Sequence, residues 1–90
     1  MTLFSLDFDD TFTRNPDLWR AWVKLAQDAG NEVVVVTARE SDNAGEIAEA
    51  LPGLQIICTD GRDKAKAAAA HGVWPDVWID DMPHMIGRFF

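Results

Sequence analysis

Val33-Val34-Val35-Val36 is the stretch that most restricts what this chain can become. Four β-branched residues in succession favour extended backbone, and side chains alternate across a strand, so two valines must point to each face. Both faces then need cover. Antiparallel sheets often leave one face to water, whereas parallel sheets carry helices on both. Glu32–Thr37 is therefore read as a strand of a mainly parallel sheet, and the flanking segments must supply the helices.

They do so in order. Leu3–Leu6 is a first apolar strand. Asn15-Pro16-Asp17 has the residues of a helix start: a capping amide, a proline suited to the first helical position and an acid at the positive end of the dipole. Leu18, Trp22, Leu25 and Ala29 recur at helical spacing, widened by Trp19 and Val23, up to a stop at Gly30. Beyond the valines, Ser41 or Asp42 is placed to cap a helix carrying Ala44, Ile47, Ala48 and Leu51, ended by Pro52-Gly53. Leu54–Thr59 reads as a third strand, Lys64–His71 as an alanine-rich helix and Asp76–Ile79 as a fourth strand. A last turn of helix is expected after Met82, with Met85, Ile86, Phe89 and Phe90 packing it on the sheet. This βαβαβαβ order predicts an α/β fold: a single domain over residues 1–90, a three-layer open sheet of four strands.

In such sheets ligands sit beyond the carboxyl ends of the strands. The groups predicted at those ends are chemically pointed. Asp7, Asp9 and Asp10 follow the first strand with Thr11, Thr37 closes the second, and Asp80-Asp81 follow the fourth. Carboxylates crowded at the end of an apolar strand repel one another and lose hydration, a cost that a divalent cation removes.

Asp7-Phe8-Asp9-Asp10-Thr11 resembles the DxDx[TV] motif of the haloacid dehalogenase (HAD) superfamily of phosphotransferases. Thr37, a lysine opening the helix before the last strand, and Asp80-Asp81 are similar to that superfamily's second, third and fourth motifs, in the same order. The resemblance implies a magnesium-dependent phosphatase with a HAD-like Rossmannoid core. It makes Asp7 the nucleophile that becomes an aspartyl-phosphate, and Asp9 the general acid and base, with its proton affinity raised by its neighbours. It implies Mg2+ held by the Asp7 carboxylate, the Asp9 backbone carbonyl and the Asp80 carboxylate, with Asp81 acting through water or behind the ligands. Thr37 and a lysine would hold phosphoryl oxygens, and Thr11, Ala38 and Arg39 would lie against the substrate. Lys64 and Lys66 stand about 200° apart on a helix, so only one can face the site, and Lys64 is nearer the helix start.

Several of these residues have ordinary alternatives: Asp81 as a turn cap, Lys64 as a surface cation, and Thr11 as a turn brace. Arg39 either meets a substrate phosphate or pairs with Asp42. Asp10 stands where the family commonly has glycine. His71 and His84 lack metal-ligand company, and Cys58 reads as a small core residue.

About 25 residues separate Asp10 from Thr37, filled by one helix and one strand, so no cap domain fits there. An uncapped site is similar to those acting on large phosphorylated substrates. Thr-Ala-Arg with Ile-Asp-Asp resembles the 3′-phosphatase domain of polynucleotide kinases and small phage-encoded phosphatases, making a nucleotide or nucleic-acid 3′-phosphate a candidate substrate. A net charge of −7 argues against an extended grip on nucleic acid or an anionic membrane. With no signal-peptide pattern and no long apolar run, a cytoplasmic protein is expected. Four tryptophans in 90 residues make a homo-oligomer interface a further expectation. The competing functional class is a non-catalytic, metal- or phosphate-binding regulatory module with a HAD-like fold.

Overall fold

The computed structural model describes residues 1–87. Its four strands, β1 (Leu3–Leu6), β2 (Glu32–Thr37), β3 (Gln55–Cys58) and β4 (Val77–Ile79), form one open sheet in the order β3-β2-β1-β4. Every pairing is parallel, with Leu6 opposite Val35 and Ile79, and Val36 opposite Ile57. The helices are α1 (Pro16–Asp28), α2 (Gly45–Ala50) and α3 (Lys64–Ala70). No described helix is long and apolar enough to cross a membrane.

The valine run divides as its alternation requires. Val33 and Val35 enter one core with Leu6, Phe8, Val23 of α1 and Ile47 of α2. Val34 and Val36 enter a second core with Ile57 and with Ala67 and Ala68 of α3. Helices therefore cover both faces. The small alanines let α3 lie close to the sheet, at the expense of apolar area per residue.

Helix α1 begins as expected, with the Asn15 side chain accepting from the Leu18 N–H at 3.4 Å and Pro16 in the first turn. Its buried face differs from the expected stripe. Leu18 and Leu25 are 53% and 68% exposed, whereas Trp22 and the flanking Trp19 and Val23 pack on the sheet side as expected, joined by Ala26. That set is itself spaced i, i+3, i+4, i+7, and turning the helix toward it buries two indoles in place of two leucines. Trp22 meets Phe4 edge-on at 5.1 Å, so these two tryptophans serve the core.

The second helix is shorter than its sequence predicts. A 3-10 turn at Ser41–Asn43 precedes α2, and neither Ser41 nor Asp42 caps it. The Asn43 carbonyl, which a continuous helix would use internally, accepts instead from the Arg39 guanidinium at 3.1 Å. Ile47 and Leu51 are buried as expected, whereas Ala48 is exposed.

A 3-10 turn at Pro83–Met85 supplies the expected last turn, and the Ile86 carbonyl accepts from Ala65 N–H at 2.8 Å, closing over the start of α3. The expected packing of Phe89 and Phe90 lies outside the described residues.

One core hydroxyl lacks a partner. Thr59, just past β3, is fully buried, and its Oγ1 finds no hydrogen bond among the described residues. An unpaired buried hydroxyl costs about 1–3 kcal/mol. Thr59→Val is expected to raise stability by about 1 kcal/mol, read as a higher denaturant midpoint at unchanged slope.

Candidate active site

The strand order sets where a site can form. The chain steps outward from β1 to β2 to β3, then returns to pair β4 with the free side of β1. The connections that leave β1 and β4 thus diverge at their carboxyl ends, and this switch point is where open α/β sheets leave a crevice. Asp7 follows β1, and Asp80 and Asp81 follow β4. Among the described residues, these three carboxylates can each offer an oxygen within 4.8 Å of the other two.

Lys64 joins them from the first residue of α3. Its Nζ donates to Asp7 Oδ1 at 2.8 Å and to Asp80 Oδ2 at 2.6 Å, and the residue is only 3% exposed. Lys66 points away, with its side chain 80% exposed and 3.9 Å from Asp63. The choice left open by sequence is thereby decided in geometry: Lys64 faces the carboxylates. Thr11 also belongs to the cluster. Its hydroxyl lies 3.0 Å from Asp7 Oδ2 and 3.3 Å from Asp81 Oδ1, and it accepts from the Asp81 N–H at 3.2 Å. The Met82 N–H holds the remaining Asp80 oxygen at 2.9 Å.

The intervening turn is bent by Asp10, whose φ of 64° is left-handed. Aspartate tolerates that region better than most residues, and glycine best of all. The Asp10 N–H donates to Thr13 Oγ1 at 2.9 Å, tying the bend shut.

Asp9 is placed differently from Asp7. Arg39 grips it side-on, Nε to Oδ2 at 2.8 Å and Nη2 to Oδ1 at 2.7 Å. Arg39 Nη1 donates to Glu46 at 3.0 Å, and the guanidinium lies over the Phe8 ring at 5.1 Å. Two expectations are corrected here. Arg39 pairs with Asp9 and Glu46, not with Asp42. The hydrogen bonds from Arg39 also hold the Asp9 carboxyl below its ordinary range, where a raised proton affinity was expected. The Asp9 carboxylate is likewise not among the three that converge as possible metal ligands.

Thr37 is buried at the end of β2, and its Oγ1 accepts from the Arg39 N–H at 3.3 Å, which leaves its own hydrogen for another acceptor. Ala38 and Arg39 are pinned through their carbonyls to Gly61 N–H at 3.1 Å and Asp60 N–H at 3.3 Å. Glu46 is the participant that sequence reasoning missed. It lies seven residues from Arg39 on another element, and no spacing rule links the two.

Three carboxylates against one ammonium leave the inner cluster short of positive charge by two. An all-oxygen donor set with that deficit fits a hard divalent cation such as Mg2+. A cavity of about 520 Å³ lies elsewhere, lined by Val23 of α1, Ala50 of α2 and Leu51 just past it. It holds no such constellation. No protein-family model, curated protein or solved structure matches the chain.

Burial pushes the Asp7 carboxyl up to about 6, against the lowering effect of Lys64. An acid whose folded value exceeds its unfolded one penalises the fold when ionised, so this penalty is complete above pH 6 and fades as pH falls toward 4. Without divalent ions, the Asp7 carboxyl carbon is expected to titrate near pH 6 by NMR, and added magnesium should shift that midpoint down. Lys64→Met leaves two buried carboxylates unpaired and is expected to cost about 3–5 kcal/mol in denaturant unfolding, with part of the loss restored by magnesium.

Proposed function

We propose that the chain is a magnesium-dependent phosphatase of HAD type, hydrolysing phosphomonoesters through an aspartyl-phosphate on Asp7. The observation that carries this reading is the buried Lys64, bound at once to Asp7 and Asp80 beside Asp81, at the carboxyl ends of parallel strands. Asp7, Asp80 and Asp81 would hold the cation, which would supply charge neutralisation between a carboxylate nucleophile and a phosphate dianion.

The residues divide the remaining work. Asp7, ionised above pH 6 and anchored by Lys64 and Thr11, is oriented to attack phosphorus through a carboxylate oxygen. As the P–O bond to the alcohol breaks, the leaving oxygen takes a proton from Asp9. A water then gives Asp9 a proton while attacking the acyl phosphate, which releases phosphate and restores Asp7. The Thr37 hydroxyl has a hydrogen to donate to a phosphoryl oxygen. Asp9 as gripped by Arg39 is poised as the base of the second half-reaction, and the first requires that the grip loosen so that it can carry a proton.

One observation favours the second reading, a metal- or phosphate-binding regulatory module. The Arg39 clamp keeps Asp9 ionised and occupied, a state that a general acid has to leave. Hydrolysis of an aryl phosphate with magnesium separates the two. Wild type is expected to turn over, Asp7→Asn to be inactive, and Asp9→Asn to lose about 10²–10⁴-fold. Magnesium binding by calorimetry with no turnover above the Asp7→Asn background would decide for the module.

A further inference from the structure

Because the strands are parallel, the connections leaving their carboxyl ends emerge on one side of the sheet and surround the inner carboxylates. Those connections and the first turn of α2 carry six further exposed acids: Asp10, Glu40, Asp42, Glu46, Asp60 and Asp63. Among the described residues few cations oppose them, and most are already engaged. Arg39 spends four N–H groups on Asp9, Glu46 and the Asn43 carbonyl, so one positive charge sits between two negative ones. Arg62 donates to the Thr59 carbonyl and lies 3.9 Å from Asp60. Lys64 is enclosed between Asp7 and Asp80. Lys66 lies 3.9 Å from Asp63, and a divalent ion at the centre would offset the inner carboxylates but leave the rim with an excess of negative charge.

Beside the centre opens a shallow cavity of about 310 Å³, with room for a small alcohol but not for a polymer. Trp19 and Ile79 line it together with Asp10, Asp80 and Asp81, and among the described residues Arg14 is its single cation. An indole with carboxylates around it suits an ammonium group, through cation–π attraction and direct charge pairing.

Resting on the phosphatase reading above, we propose that this site selects small phosphomonoesters by the charge of their alcohol. An ammonium-bearing alcohol is preferred over a neutral one, and both over an alcohol carrying a second anion. Nucleic-acid 3′-phosphates, whose chain carries further phosphodiester anions, fall in the disfavoured group. The rim charges are exposed, so their effect is summed from weak, salt-screened terms rather than one strong contact.

The test compares three esters of similar size, ethanolamine phosphate, glycerol phosphate and 3-phosphoglycerate, with a nucleoside 3′,5′-bisphosphate as a fourth. Binding to the Asp7→Asn protein with magnesium is measured by calorimetry, and kcat/KM is measured with wild type. The expected order is ethanolamine, glycerol, then the two anionic esters, spanning about tenfold at low salt and narrowing to about twofold at 0.5 M. The double variant Glu40→Gln/Asp42→Asn is expected to improve the anionic esters about two- to threefold and glycerol phosphate by less, so that the spread between them narrows. Equal or tighter binding of the anionic esters, an order insensitive to salt, or no ester binding would each overturn the proposal. Absence of wild-type turnover, with the binding order intact, would overturn only the phosphatase reading.

Discussion

The pairing of Lys64 with Asp7 and Asp80 is the constraint on which the rest of the site depends. It joins the start of α3 to the ends of β1 and β4, three elements far apart in sequence. Enclosed carboxylates need a counter-charge, and an enclosed ammonium needs acceptors, so each group makes the others tolerable. With Asp81 included, the cluster is still unbalanced by two negative charges. A fold arranged only for stability would do better with apolar residues at these positions, and for that reason the imbalance reads as a receptor for positive charge.

Around that centre the protein treats two carboxylates on one loop in opposite ways. Asp7 is buried and pushed up to about 6, whereas Asp9, two residues later, is half-exposed and held low by Arg39. The difference arises from the strand end: Asp7 continues the line of β1 under Thr11 and Lys64, and Asp9 lies in the turn just before the left-handed Asp10, where Arg39 from the β2 connection reaches it. Arg39 also shortens α2 by taking the Asn43 carbonyl. One arginine thus links the charge state of Asp9 to the geometry of the following helix.

Much of this was legible from residue order alone. The undivided valine run demanded two covered faces, and the order of strands and helices demanded a parallel sheet. Together they placed Asp7, Thr37 and Asp80 at one end. Less legible was anything set by rotation or by side-chain choice between partners. The α1 stripe could be centred on Leu18, Trp22, Leu25 and Ala29 or on Trp19, Trp22, Val23 and Ala26, since both sets have helical spacing, and only packing against Phe4 and the sheet separates them.

The sequence by itself determined the layered α/β sheet and the convergence of acids beyond its strands, because strand alternation and chain connectivity are local rules that act whatever the neighbours. Tertiary structure alone decided that Lys64, not Lys66, enters the cluster, that Thr11 bridges Asp7 to Asp81, and that Arg39 is spent on Asp9 and Glu46. Those outcomes depend on which charged side chains meet after the elements pack. Burial and Coulomb energy act through space, and residues 57 or 70 positions apart carry no mark of each other in the chain.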